Sequence, residues 1–284
     1  MRADLAPTKT VFEVTDSEAN SMLKVTSKDG TAIAFDRTGQ GPAIILVGGA
    51  LSDRRAAATL APLLAPHFTM FAYDRRGRGD SGDTPPYAIE REIEDIDALI
   101  KQAGGSAFAF GTSSGAALAL EAVARGLAIT KLALYEPPFI VDDSRPPLPK
   151  DYVAQIARLV SAGRRSDAVE FFMREAVLVP TDFLAQMRDM PMWAEMERLA
   201  HTLIYDGAIM GDSMQGNALR AERWVNVTVP TLVMDGGASP AWARNAVQAL
   251  TNALPDAQRR TLEGQTHGAD ATVLAPVLIE FFKG

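Results

Sequence analysis

Gly111-Thr112-Ser113-Ser114-Gly115 forms a Gly-x-Ser-x-Gly pentapeptide between the apolar run Ala107–Phe110 and the stretch Ala116–Ala124, apolar nearly all round apart from Glu121. A serine in so tight a strand-to-helix turn is held in strain with its hydroxyl exposed. The helix that follows points unpaired N–H groups and its positive dipole end at that hydroxyl. Glycines suit such a turn because backbones meet there too closely for a Cβ. The same five residues could simply close a βα unit, but the buried helix directly after them favours a nucleophile. A serine hydroxyl is weak and needs a base, and the chain holds three histidines. His67, beside Pro66, reads as a surface or capping residue. His201 sits in a helical pattern and reads as packing, or as a substrate contact. His267, in Glu263-Gly264-Gln265-Thr266-His267-Gly268, follows the last strand-like run and precedes a C-terminal helix with Asp270 as its N-cap. From that loop an imidazole can reach Ser113, which makes His267 the candidate general base.

The elements that must position these residues alternate between β-rich runs and helical patterns, the signature of a mostly parallel sheet covered by helices. Leu23–Ser27 and Ala32–Asp36, joined by Lys28-Asp29-Gly30, read as a hairpin. Ala43–Val47, Thr69–Tyr73, Ala107–Phe110, Lys131–Tyr135 and Thr231–Met234 read as strands buried on both faces, with a weaker strand at Arg259–Leu262. Ile89, Ile93, Ile96, Leu99 and Ile100 form one helical stripe, with Glu90, Arg91, Glu94, Asp97 and Lys101 facing water. From Pro138 to Arg220 the alternation stops: proline-rich stretches lead into helical patterns at Asp151–Val160, Asp167–Val177, Phe183–Arg188 and Trp193–Tyr205. The expected organisation is an N-terminal arm over residues 1–22, an α/β core over 23–137 and 221–284, and a helical cap inserted over 138–220. Seven of the eleven methionines lie in that insertion (Met173, Met187, Met190, Met192, Met196, Met210 and Met214), alongside Phe183 and Trp193. Thioether side chains adapt to irregular apolar shapes, so the insertion is expected to receive an apolar small molecule over Ser113.

Composition narrows the partners. A net charge of −7 argues against nucleic acid, which requires a basic surface. The chain has no cysteine, which excludes disulfides and thiolate metal sites. No apolar run approaches the roughly 18 residues of a membrane span, and the acid-bearing N-terminal stretch does not read as a secretory signal. A cytoplasmic protein without metal or cofactor is expected, and nothing assigns an oligomeric state. Gly77-Arg78-Gly79-Asp80-Ser81-Gly82 is formally Gly-x-Gly-x-x-Gly, but Thr84-Pro85-Pro86 stands where a dinucleotide site needs a helix. Its arginines are expected to pair with acids at the surface.

From about Leu23 onward the sequence resembles the α/β-hydrolase superfamily. The strand Ile44–Val47 leads into Gly48-Gly49-Ala50, where the family usually carries a His-Gly loop. Tyr73-Asp74-Arg75-Arg76-Gly77-Arg78-Gly79-Asp80-Ser81-Gly82 is similar to the family's turn after its fourth strand. The pentapeptide, the insertion, the strand at Pro230–Met234 and the late His267 follow in the family's order. The resemblance implies an α/β fold with a mostly parallel eight-stranded sheet, helices on both faces and an inserted helical cap. It also implies an oxyanion hole made by the N–H groups of Ala50 and Ser114. The family's acid usually stands three residues beyond a glycine after the seventh strand, and that count reaches Ser239. Two carboxylates could replace it: Glu136, at the end of the sixth strand, and Asp235, at the end of the seventh. Glu136 is the first choice, with Asp235 supporting it. The activity implied is hydrolysis of an apolar ester or lactone through an acyl-enzyme. The alternatives are hydrolysis of a carbon–carbon bond in a β-diketone-like substrate and a non-catalytic ligand receptor on the same scaffold.

Overall fold

A computed structural model describes residues 22–284, so all of the expected N-terminal arm except Met22 lies outside the described residues. Eight strands form one sheet: β1 (Leu23–Thr26), β2 (Ala32–Gly39), β3 (Ala43–Val47), β4 (Thr69–Tyr73), β5 (Ala107–Thr112), β6 (Ile129–Tyr135), β7 (Thr231–Gly236) and β8 (Ala257–Leu262). Their spatial order is β1-β2-β4-β3-β5-β6-β7-β8. The β1–β2 and β2–β4 pairs are antiparallel, and the rest of the sheet is parallel. The hairpin turns at Gly30, whose φ of 87° suits glycine.

The parallel strands are apolar at consecutive positions because both faces of the sheet are covered. Ile45 and Val47 of β3 point into one core layer with Ile96, Leu118 and Val247. Ile44 and Leu46 point into the other, with Leu64, Leu274 and Leu278. The first layer is closed by α2 (Ile89–Gln102) and α3 (Ser114–Ala124), and by α9 (Ala241–Ala253) further along the chain. The second is closed by α1 (Ala61–Leu64) and α10 (Ala271–Lys283). Asp270 caps α10 by accepting the Thr272 N–H at 2.7 Å.

Between β6 and β7 the chain forms α4 (Tyr152–Ser161), α5 (Arg165–Phe172), α6 (Thr181–Arg188), α7 (Pro191–Leu199) and α8 (Leu203–Met210), with no strand among the described residues. Two helical runs expected from the sequence are each broken in two. After α5 the chain widens into a π-helical turn over Met173–Val177 and stops at Leu178, whose φ is 65°. A 3₁₀ turn over Ala200–Thr202 separates α7 from α8. Such irregular turns redirect side chains without ending the helical layer, and Met173, Ala176 and Val177 of the first and Leu203 and Asp206 after the second line the same cavity as Ser113. The aromatic and methionine side chains divide in a way the sequence did not foresee. Trp193 is buried within the helical layer, where its indole N–H donates to Ser166 Oγ at 2.8 Å, whereas Phe183, Met190 and Met192 are exposed.

Candidate active site

Ser113 is the residue at which β5 becomes α3. Its φ of 54° and ψ of −128° lie outside the regions a non-glycine residue ordinarily occupies, a conformation that costs about 1–3 kcal/mol and persists only where the surroundings impose it. Those surroundings are tight. A Cβ on Gly115 would sit 2.3 Å from the Val47 carbonyl oxygen, and one on Gly49 would sit 2.9 Å from the Ser113 Cβ. The Ser113 N–H is tied to the Tyr135 carbonyl at 2.9 Å, which fixes the turn against β6. Beyond the turn α3 is buried on all sides, so the elbow rests on a helix that packs everywhere.

Glu136 follows directly on β6 and also takes a positive φ, of 44°. Its N–H donates to the Met234 carbonyl at 3.0 Å. Its carboxylate is 2% exposed and accepts the Gly236 N–H at Oε1, 2.8 Å away. The other oxygen, Oε2, lies 2.7 Å from His267 Nδ1. Burial pushes this carboxyl up, but His267 and the Gly236 N–H outweigh it and hold Glu136 below the ordinary carboxylate range. Ser239, at the position where a family acid was expected, is buried close by without a hydrogen bond of good geometry, and its hydroxyl dipole favours the same ionised form. The His267 loop is held from both sides: Tyr135 Oη donates to the Thr266 carbonyl, and the Ala238 N–H donates to the Gln265 carbonyl at 2.9 Å. The His267 side chain is 52% exposed at the rim of the cavity that Ser113 also lines. Ser113 and His267 line the same cavity, and no hydrogen bond joins them among the described residues.

The two carboxylates left open by the sequence have different partners. Asp235 is fully buried and bonded to Arg259 Nη2 at 2.6 Å and to Thr261 Oγ1 at 2.8 Å on β8. It braces the sheet edge, and no hydrogen bond joins it to Glu136 or His267 among the described residues. Ala50 and Ser114 flank Ser113 at the cavity wall, and neither backbone N–H donates to a backbone acceptor among the described residues. The loop before Ala50 is held by its carbonyls. Ser52 Oγ donates to the Gly49 carbonyl at 2.7 Å, Arg75 Nη1 donates to the Gly48 carbonyl at 3.3 Å, and Arg78 Nη1 donates to the Gly49 carbonyl.

Those arginines correct one expectation. Arg75, Arg76 and Arg78 are buried, not superficial, because each guanidinium meets carboxylates inside the protein. Arg76 pairs with Asp95 at 2.7 Å and Asp29 at 3.0 Å. Arg75 pairs with Glu92 and with Asp206 of α8, both at 2.7 Å, and Arg78 pairs with Asp206 at 2.8 Å. Asp206 Oδ1 also accepts the Ser114 hydroxyl at 2.8 Å. Burial pushes Asp206 up, yet Arg78 and Arg75 outweigh it and keep the carboxyl below its usual range. Asp206 escaped the sequence reading because it sits alone in an apolar helix, with partners far away in the chain.

The cavity measures about 450 Å³ and is mostly apolar. Of the seven methionines in the insertion, Met173, Met210 and Met214 line it. The aromatic wall comes from Tyr152, Phe172 and Trp242, the last from α9 of the core. His201 lies away from the cavity, edge-on to Tyr205, with ring centroids 6.3 Å apart. His67 is half-buried and 3.0 Å from Lys283 Nζ. No group of three or more His, Asp or Glu side chains suited to a metal ion occurs among the described residues.

Comparison with known proteins agrees with this architecture. An alpha/beta hydrolase from Sphaerobacter thermophilus is 58% identical, over 92% of this chain and 100% of that one, and superposes with a TM-score of 0.86. The enol-lactonase of Burkholderia xenovorans is 22% identical over 92% of this chain and 100% of its own, with a TM-score of 0.69, a likeness of fold. An uncharacterized hydrolase of Bacillus subtilis, YraK, is 34% identical over 96 residues, which span 32% of this chain and 35% of that relative. The model of the alpha/beta hydrolase family matches residues 44–277, most of the sheet and the whole cavity wall, and the chain belongs to that family.

Proposed function

We propose that the chain is a serine hydrolase that cleaves a carboxylic ester or lactone of an uncharged, apolar small molecule. The observation that carries this reading is the 2.7 Å contact of His267 Nδ1 with buried Glu136, at the rim of the cavity that Ser113 lines. A carboxylate accepting Nδ1–H leaves Nε2 free to take a proton and stabilises the imidazolium that results. Ser113 Oγ attacks the carbonyl carbon while His267 Nε2 takes its proton. The tetrahedral oxyanion is met by the N–H groups of Ala50 and Ser114, each such donor being worth about 10²–10³ in rate. Collapse breaks the bond to the alcohol, which leaves with the proton from His267. Water, activated by the same imidazole, then releases the acid and restores Ser113. The helices α4–α8 act as a cap whose methionine and aromatic side chains receive the acyl group.

A fluorophosphonate probe and Ser113→Ala test the proposal. The wild-type protein should be labelled on Ser113 and should hydrolyse p-nitrophenyl butyrate, and the variant should do neither while keeping its melting temperature within a few degrees. An adduct mapped to another serine, or turnover surviving in the variant, would overturn it. So would a panel in which a β-diketone is cleaved and no ester or lactone is.

A further inference from the structure

Asp206 does more than join α8 to the core. One carboxylate accepts from Arg75 Nη1 at 2.7 Å, Arg78 Nη2 at 2.8 and 2.9 Å, and Ser114 Oγ at 2.8 Å, and it lines the cavity beside the candidate nucleophile. Arg75 has a second carboxylate, because its Nε and Nη2 grip Glu92, each at 2.7 Å. Arg78 has none besides Asp206 among the described residues, and its Nε is buried without an acceptor. Two adjacent buried guanidiniums and a hydroxyl, converging on one point of a cavity wall, are the parts of a carboxylate-binding site. Here a side chain of the same protein fills it.

We propose that Asp206 is the built-in occupant of a latent anion site formed by Arg75, Arg78 and Ser114, and that by occupying it Asp206 selects uncharged over acidic acyl groups. The selection works in two ways. A substrate carboxylate finds its cationic partners already taken, and it meets the like charge of Asp206 in a poorly solvated wall, where repulsion is weakly screened. An apolar acyl chain loses nothing against the same wall. Removing the Asp206 carboxylate should uncover the site and reverse the preference. The selectivity claim rests on the reading of Ser113 as nucleophile, whereas the anion site itself does not.

The test has two arms. In wild type, kcat/KM for p-nitrophenyl butyrate should exceed that for p-nitrophenyl hemiglutarate by about 10²-fold or more, the range expected when charge-assisted hydrogen bonds are denied to one substrate. Equal rates would overturn the proposal. If wild type hydrolyses neither ester, the acyl-transfer reading fails and the second arm still decides the site. There, free glutarate is titrated by calorimetry and by thermal shift into wild type, Asp206→Ala and Asp206→Ala/Arg78→Gln. Glutarate should bind and stabilise only Asp206→Ala, and in that variant hemiglutarate turnover should gain on butyrate by about 10–100-fold. A folded Asp206→Ala that ignores glutarate would show Asp206 to be a structural clamp alone. If the variant is insoluble, yield restored by acetate in the growth or refolding medium supports the site, and yield that no acetate restores counts against it.

Discussion

Glu136 and His267 are 131 residues apart in the chain, yet Oε2 of one lies 2.7 Å from Nδ1 of the other. The carboxylate can fix the tautomer only while it is charged and accepting. Glu136→Gln keeps the shape and removes the charge, so kcat should fall by about 10³–10⁴ with KM little changed, in line with the amide swap in a serine-protease triad. Asp235→Asn should leave kcat nearly intact and instead cost about 1–3 kcal/mol of stability, because its carboxylate serves Arg259 and Thr261. Steady-state kinetics and denaturant melts of the two variants check both halves. A larger loss of kcat in Asp235→Asn would exchange the roles.

The sheet was legible because strands covered on both faces must be apolar at consecutive positions, and Ala43–Val47 and Thr231–Met234 have few alternatives. Ser113 stood out because its pentapeptide has a demanding context, an apolar strand before it and a buried helix after it. The choice between Glu136 and Asp235 was not legible, since both end neighbouring strands and only the pairing of side chains separates them. The methionines misled in part: composition says that a segment can bury sulfur, but helix phase decides which side chains reach the cavity. Met190 and Met192 face outward while Met210 and Met214 line the site. Trp242 gave no signal because it belongs to the first turn of α9, outside the methionine-rich stretch of the sequence.

Stability should fall in two stages on acidification. Burial holds His201 below its ordinary value of 6.5, with Asp83 opposing and Arg165 reinforcing the shift. The folded protein therefore keeps this imidazole neutral where the unfolded chain already binds a proton, and stability drops as pH falls below about 6.5. Glu136 and Asp206 have depressed carboxyls, so their stabilisation is full above the ordinary carboxylate range and is lost as pH falls through their folded values. Melting temperatures of wild type and His201→Gln between about pH 7.5 and pH 5 isolate the first stage. The variant should show a flatter slope there, and equal slopes would remove His201 from the account.

Gly49→Ala should damage catalysis more than folding. Its Cβ would lie 2.9 Å from the Ser113 Cβ and 3.1 Å from the Thr112 carbonyl oxygen, so either the serine or the loop carrying Ala50 must move. A displacement of a few tenths of an ångström degrades the oxyanion geometry, for which about 10²–10³ in kcat is the appropriate scale. The melting temperature should change by only a few degrees, because the loop can yield toward the cavity. An active Gly49→Ala enzyme with unchanged kcat would show that the loop is not held at the distance read from its backbone.

Arg145 ties two walls of the cavity together. It is buried, donates to the Glu175 and Ala176 carbonyls at 2.8 and 2.9 Å, and lies 4.8 Å from the ring centre of Trp242. The carbonyls belong to the π-helical turn, whose Met173, Ala176 and Val177 line the cavity together with Trp242. Arg145→Met retains the apolar stem but strips both carbonyls of their donor and removes the cation from the indole face. The turn should loosen and the apolar pocket lose definition, while Ser113, His267 and Glu136, carried on other elements, stay in place. KM for p-nitrophenyl butyrate should therefore rise about tenfold, the equivalent of roughly 1.4 kcal/mol, with kcat within about a factor of two. Arg145→Lys, which keeps the charge without the planar fork, should fall between the two. A fall in kcat at constant KM would mean that the π-turn acts on the reacting atoms and not on the binding of the acyl chain.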